Sequence, residues 1–472
     1  MRTLPVADYN RTITPRGYQQ LILDLIQLHT QKRRSIILEL DCGMGKRVIT
    51  YELLTRLFPD KRILLIVLSS SSLHETSAFL QHEYGGVNGF NWLGPGISGS
   101  FARKILTESR VVLCTPQKLA NILTKNPEIA RTFDIVIINE IDKIVRRMGS
   151  RRVLVYPWST LLELFTSSLI IGMSGTLRDS HYVLDNEQLE IRKELNTLLH
   201  YLPNSELIYM DSLAGTDIRK FTKVTSIELV GVEDPTISNL SNIITDELKE
   251  AYREIKEALK VEAPDYLAQL SEIGPQALLQ APVSLELRSK AQTLALIRKY
   301  LFSMVPSQLK KFLHPPLPID SSMLPTTPQK ILKVVELAKK TKKIVVLCSY
   351  LKTARTIVAY LQRVNIKAFL ITGKVLDKNA ILQQFREYPG QAAIVMSPVG
   401  ERDIDLPEAE QLIIFDSVRT TKTVYQQLKR IRGGTGVFLF YANSYEARKV
   451  KSIVKSIIEK YPWSIKVNSP MP

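Results

Sequence analysis

Short, wholly apolar runs, each followed by a longer amphipathic stretch, constrain the fold of this chain more than any other feature. In the first 215 or so residues they fall at Ile36–Leu40, Ile63–Leu68, Val111–Cys114, Ile135–Ile138, Leu169–Met173 and Leu207–Met210. They return at Ile344–Cys348, Ala368–Ile371, Ala393–Met396, Leu412–Phe415 and Val437–Tyr441. Strands that are apolar throughout and separated by helices predict parallel sheets covered on both faces. Between the two series, Ile243, Ile244, Leu248, Tyr252, Ile255 and Leu259 form one helical stripe, and Leu287, Leu294, Ile297 and Leu301 form another. Pro315, Pro316, Pro318, Pro325 and Pro328 then read as a linker. The expected organisation is α/β, with one parallel-sheet domain over 1–215, a helical insert over 216–326 and a second parallel-sheet domain over 327–472.

The first apolar run leads into Asp41-Cys42-Gly43-Met44-Gly45-Lys46-Arg47, a turn followed by the helical stripe Val48, Ile49, Leu53, Leu54 and Leu57. Gly43 and Gly45 would let backbone N–H groups approach a phosphate, and Lys46 would reach the β- and γ-phosphates. A strand–loop–helix of this kind is also where a helix N-terminus binds anions. The same residues would serve equally as a tight connection. Arg47 stands where a phosphate loop carries the Ser or Thr that ligates magnesium, so the turn reads as a nucleotide site with a weakened metal site.

A net charge of +17 and a pI near 9.5 favour a polyanionic partner through counterion release, nucleic acid above all. A basic surface kept for solubility is the alternative. Cys42, Cys114 and Cys348 give neither a disulfide framework nor metal-ligand spacing, which predicts a reducing, cytoplasmic setting. No apolar run approaches the roughly 20 residues needed to cross a bilayer, and the N-terminus lacks a signal-peptide pattern. Abundant Lys, Ile and Leu with few Cys are compatible with a thermophilic archaeal source.

Two α/β domains with a phosphate loop in the first resemble the paired RecA-like motor of superfamily 2 helicases. An ordered series of segments carries the resemblance. Arg16-Gly17-Tyr18-Gln19 is similar to an element whose Gln reads adenine. Cys114-Thr115-Pro116-Gln117-Lys118-Leu119 resembles the Thr-Pro motif that contacts the nucleic-acid backbone. Asn139-Glu140-Ile141-Asp142 lies where the Asp-Glu box should be, and Met173-Ser174-Gly175-Thr176 resembles the motif that couples ATP to the nucleic-acid track. In the second domain, Val399-Gly400-Glu401, Asp405, Pro407 and Glu408 resemble the signature of the Hef and FANCM branch. Gln426 to Arg430 is similar to the Gln-x-x-x-Arg motif that supplies an arginine finger, and the helical insert also suits that branch.

The resemblance implies ATP as cofactor and forked or branched DNA as partner, in repair or recombination. It implies ATP binding by Arg16, Gln19, Gly43, Gly45, Lys46, Arg47 and Asp405, catalysis by Glu140 and Arg430, and DNA contacts through Thr115. Basic residues of the insert, Arg298 and Lys299 among them, are expected to hold duplex DNA. The pattern breaks at magnesium, since Asn139 replaces the Asp of the box and Arg47 replaces the loop hydroxyl. It also breaks at Leu68-Ser69-Ser70-Ser71-Ser72-Leu73, where the branch places a Pro-Thr-x-Pro-Leu element. In the finger motif, a second arginine falls at Arg432, one place early. No nuclease signature and no metal-ligand spacing of His is present. Two functions follow: a DNA-dependent ATPase with weak turnover, or an inactive pseudo-helicase that binds branched DNA and recruits a nuclease or Holliday-junction resolvase.

Overall fold

The computed structural model describes residues 14–41, 43–148, 151–175, 177, 195–273, 275–313, 319, 321–373, 375, 378–397, 409–416, 421–431 and 433–468. Thr176, Asp405, Arg432 and the segment 398–408, with its expected branch signature, lie outside them. The chain divides into two compact units between Thr222 and Lys223.

The first unit is built on β1 (Ser35–Glu39), β2 (Ile63–Ile66), β3 (Phe90–Trp92), β4 (Val111–Cys114) and β5 (Ile135–Asn139). An antiparallel ribbon, β6 (Val145–Met148) and β7 (Arg151–Leu154), precedes β8 (Leu169–Ser174) and β9 (Ser205–Ile208). The ribbon apart, these strands form one seven-stranded sheet, ordered β3-β4-β2-β5-β8-β1-β9, in which every pairing is parallel. The apolar runs become central strands because both their faces are covered; Ile36, Ile37, Leu38, Val136 and Ile137 are fully buried. β8 lies between β5 and β1, with Asn139 level with Met173 and Glu39 level with Ser174. The loops after β1, β5 and β8 therefore leave the carboxyl edge of the sheet side by side, where α/β sheets bind ligands. The helices that matter there are α1 (Gly17–Gln31), α2 (Lys46–Glu52, continued by a π turn over Leu53–Leu57), α3 (Ser70–His82), α4 (Gly99–Glu108) and α5 (Pro116–Leu123).

The second unit contains β10 (Thr225–Val232), β11 (Lys343–Leu347), β12 (Lys367–Ile371), β13 (Ala392–Met396), β14 (Gln411–Ile414), β15 (Thr435–Tyr441) and β16 (Ile465–Val467). They form a second seven-stranded sheet, again wholly parallel, in the order β12-β13-β11-β14-β15-β10-β16. The expected pair of RecA-like α/β domains is what the chain forms.

The middle of the chain differs from its sequence reading. The segment that reads as the start of an insert contains β10, which joins the second sheet between β15 and β16. Both expected helices are present, as Pro235–Glu262 and Leu285–Ser303, started by Asp234 and Ser284 accepting the Ile237 and Leu287 N–H groups. Their apolar stripes (Ile244, Leu248, Ile255; Leu294, Ile297, Leu301) share one continuous core with Ile344, Val346 and Val395 of the sheet. Pro315, Pro316 and Pro318 of the expected linker lie outside the described residues; beyond them, Ile319 is buried in that core and Leu324 packs on it.

One buried ion pair ties these pieces together. The Lys330 ammonium donates to both carboxylate oxygens of Glu446, at 2.9 and 3.2 Å, and to the carbonyls of Phe302 (3.1 Å) and Phe415 (2.6 Å). Glu446 also accepts the Tyr441 N–H at 2.9 Å. Lys330 is 1% exposed and Glu446 is fully buried, so neither can fall back on water. Lys330→Met is expected to destabilise the second unit by about 3–5 kcal/mol, because it strands a buried carboxylate. Denaturant unfolding measures this, and adding Glu446→Leu should restore most of the loss.

Candidate nucleotide-binding site

The site is built from the loop after β1, held by the first turn of α1. Gly43 and Gly45 both have φ of 79°, the left-handed conformation that glycine adopts without penalty. At Gly45 a Cβ would also lie 2.4 Å from Gln19 Nε2, so a side chain there would displace the amide that clamps the loop. The Met44 carbonyl accepts from Tyr18 Oη at 2.8 Å and from Gln19 Nε2 at 3.2 Å. Gln19 Oε1 accepts the Arg16 N–H at 3.0 Å, so both ends of its amide are used inside the protein. Burial pushes the Tyr18 hydroxyl above its ordinary pKa, keeping it a donor.

The turn that presents Tyr18 and Gln19 is fixed from far along the chain. The Asp217 carboxylate accepts the N–H groups of Gly17 (3.1 Å) and Tyr18 (2.7 Å), two of the donors that a helix N-terminus leaves unpaired. The Arg16 guanidinium lies 4.0 Å from the Phe221 ring centroid, a cation–π contact that places it beside the same turn. Sequence reasoning missed Asp217 and Phe221, and no local signal marks them, since they meet α1 only through the fold. It did single out Gln19, which the structure brings to the loop, and Arg16, which caps the same helix.

Lys46 opens α2, and its ammonium donates to the carbonyls of Leu40 (2.6 Å) and Asp41 (3.2 Å), across the mouth of the loop. Arg47, the next residue, is exposed and paired with Glu75 of α3. On the neighbouring loop, Glu140 follows Asn139 with φ of 57°, a left-handed conformation uncommon for a non-glycine residue. Its carboxylate is paired with Lys143. Asp142, two residues on, is buried and accepts a hydrogen bond from Ser174 Oγ at the end of β8. Ile141 between them seats against Gly172, where a Cβ would come within 2.0 Å of its Cδ1. This hydrogen bond joins the loops after β5 and β8.

These donors do not suit magnesium. The two positions that would anchor it are a guanidinium, engaged by Glu75, and the amide of Asn139, while Glu140 is engaged by Lys143. Among the described residues, no group of three His, Cys, Asp or Glu could hold a metal ion.

Other expected site residues lie elsewhere. Thr115 begins α5 at the end of β4, half-buried. Of the four serines, Ser69 caps α3, its Oγ accepting the Ser72 N–H at 3.1 Å. In the second unit, Arg430 is half-buried in a short turn (Lys429–Ile431) whose Lys429 donates to the Lys223 carbonyl at 2.8 Å. Arg298 is drawn inward, its guanidinium 3.7 Å from the Tyr445 ring centroid and its pKa lowered by burial. Lys299 beside it is exposed.

Comparison with known proteins agrees with this arrangement. Residues 12–179 match the family of the type III restriction enzyme res subunit, and residues 327–434 match the helicase conserved C-terminal domain. The chain thus carries, in order, a match to each of these two domain families, which supports a superfamily 2 helicase. Among solved structures it is similar to the helicase domain of Hef from Pyrococcus furiosus, with a TM-score of 0.57 and 17% identity over 92% of this chain and 97% of that one. It is also similar to Dbp5 of S. cerevisiae, solved with RNA and ADP BeF3, with a TM-score of 0.53 and 11% identity over 96% of this chain and 90% of that one. At these identities the likeness is one of fold. No curated protein sequence matches the chain.

Gly45→Ala tests the loop geometry directly. The left-handed strain and the collision with Gln19 are expected to weaken binding of a fluorescent ATP analogue about tenfold or more, with the fold intact by circular dichroism.

Proposed function

We propose that this chain is an ATP-binding helicase-type motor of the Hef-like branch that acts on forked or branched DNA, with slow hydrolysis. The observation that carries the reading is the loop itself: two left-handed glycines, a lysine across its mouth and a clamp on the Met44 carbonyl. In this reading Gly43, Gly45 and Lys46 hold the phosphates, while Arg16 and Gln19 shape the site. Glu140 orients the attacking water, and Arg430 adds positive charge to the γ-phosphate in the transition state. Asp405 completes the nucleotide contacts, and Thr115 and Lys299 meet the DNA backbone.

Turnover is slow because phosphoryl transfer depends on neutralising charge on the γ-phosphate, a task that magnesium usually shares. Arg47 supplies a cation at the position of the missing hydroxyl, but only after leaving Glu75. The pairing of Glu140 with Lys143 favours a second reading, an inactive platform on branched DNA that recruits a nuclease or resolvase. Among the described residues no helix is long and apolar enough to cross a membrane.

ATP hydrolysis by the purified chain, with and without forked DNA and magnesium, separates the two. The motor reading expects DNA-stimulated turnover that Lys46→Ala abolishes and magnesium changes little. Turnover no higher than that of the variant, together with tight fork binding, would establish the platform instead.

A further inference from the structure

The polar groups at the turn that opens α1 are largely engaged within the protein. Gln19 is 3% exposed, and both ends of its amide are in use: Nε2 donates to the Met44 carbonyl at 3.2 Å and Oε1 accepts the Arg16 N–H at 3.0 Å. An amide reads adenine by a bidentate contact to N6 and N7, which needs its N–H and its C=O turned together to the base. The capacity that Gln19 keeps, one N–H and one lone pair, is buried with it. Its neighbours are engaged as well. Asp217 accepts the N–H groups of Gly17 and Tyr18, the Arg16 carbonyl accepts the Gln20 N–H at 2.9 Å, and the Tyr18 hydroxyl donates to Met44. The Gln20 side chain donates to Asp24 at 2.6 Å and accepts from Arg56 at 3.0 Å. Gln19 is thus a positioning residue, acting on the phosphate loop through Met44.

The same turn offers a base something other than hydrogen bonds. The Arg16 guanidinium lies over the Phe221 ring, 4.0 Å from its centroid, and donates to Tyr18 Oη at 3.4 Å. The Tyr18 and Phe221 rings are 6.0 Å apart, centroid to centroid. Phe221 is half-buried and Arg16 is exposed, so the ring backs one side of the guanidinium and the other side faces outward. Arg16 stands three residues ahead of Gln19, and residues so spaced at a helix are about 5–6 Å apart. Because Gln19 touches the loop, the guanidinium stands off from the phosphate site by about the reach of a ribose. Thr222, next to Phe221, also meets the loop, its Oγ1 4.0 Å from the Met44 sulfur. A guanidinium backed by an aromatic ring is a flat, cationic surface, and stacking on it is tolerant because every base has a π-face.

We infer that the loop accepts nucleoside triphosphates irrespective of base, the base stacking on Arg16 backed by Phe221 while Gln19 holds the loop and does not read adenine. The inference rests on the nucleotide-binding reading above and deepens it by naming the substrate class.

Isothermal titration calorimetry of the full chain with ATP, GTP, CTP, UTP and inorganic tripolyphosphate tests this. The four nucleotides are expected to bind within about tenfold of one another, whereas a site that hydrogen-bonds its ligand rejects a mismatched one by about 10⁴-fold or more. Arg16→Lys keeps the charge but loses the planar fork, and should weaken all four nucleotides by about tenfold while affecting tripolyphosphate much less. Phe221→Leu should act in the same direction. Gln19→Ala should weaken ATP and tripolyphosphate by similar factors, because both use the loop that it loosens. Circular dichroism checks that variant, and Arg16→Lys, at an exposed position, keeps the test open should Gln19→Ala unfold. A preference for ATP of about a hundredfold or more, or a Gln19→Ala loss confined to ATP, would overturn the inference and leave the nucleotide reading standing. An equal preference for GTP would overturn it too, since the outer edge of Arg16 would then be reading guanine. Nucleotide affinities unchanged in Arg16→Lys and Phe221→Leu would remove the stacking surface. No binding of any of the five by the parent chain would overturn the nucleotide reading together with the inference.

Discussion

The shape of the phosphate loop depends on one carbonyl. Met44 O receives Tyr18 Oη and Gln19 Nε2 together, and this double acceptance fixes the peptide between the two left-handed glycines. The donors are in position only because Asp217 holds the first turn of α1, and Gly45 must lack a side chain because Gln19 occupies the space. Remote anchoring of this kind lets a loop rich in glycine keep a defined shape at low intrinsic stiffness. Preorganised backbone donors need no rearrangement when an anion arrives, and electrostatic binding is most effective on those terms.

The charged groups around that loop are each matched with a neighbour. Lys46 rests on two backbone carbonyls, Arg47 on Glu75 and Glu140 on Lys143. The ion pairs are at the surface, where such contacts are worth about 0–1 kcal/mol, so a triphosphate with several charges can displace them. A divalent cation is in a different position. It needs converging oxygen ligands, and the groups offered are a guanidinium, an amide and a carboxylate already paired with a lysine.

Much of this was legible in the chain. Continuous apolar runs such as Ile135–Ile138 and Ala393–Met396 marked central parallel strands, because burial on both faces leaves no polar alternation to confuse the pattern. The helical stripes through Leu248 and Leu294 were equally plain, and so was the Gly-x-Gly-Lys turn. The shortfall lay where the local pattern is weak or the contact is remote. β10 mixes Glu228 and exposed Gly231 with apolar residues as it runs beside the short β16, so it lacks the unbroken apolar signature. The clamp from Asp217 spans about two hundred residues and has no sequence periodicity. The charge of Arg298 was visible in the chain, while its aromatic partner Tyr445 lay far along it.

The position of the long helices changes how force and binding energy can be used. Had Pro235–Glu262 and Leu285–Ser303 formed a domain of their own, a ligand gripped there could swing on a linker. They instead share a core with the second sheet, and Lys330 joins the end of Leu285–Ser303, through the Phe302 carbonyl, to the Phe415 carbonyl and to Glu446 of the helix Tyr445–Lys460. A buried pair of this kind cannot be opened without exposing an uncompensated charge, which makes it a stiff connection. Close-packed cores transmit displacement with little compliance. A phosphate held by Lys299 on the exposed side of Leu285–Ser303 would therefore be held by the second unit as a single body. That is the mechanical requirement for a motor lobe, and it serves a static platform equally well. The fold thus makes Leu285–Ser303 part of the second unit and not a domain on a linker.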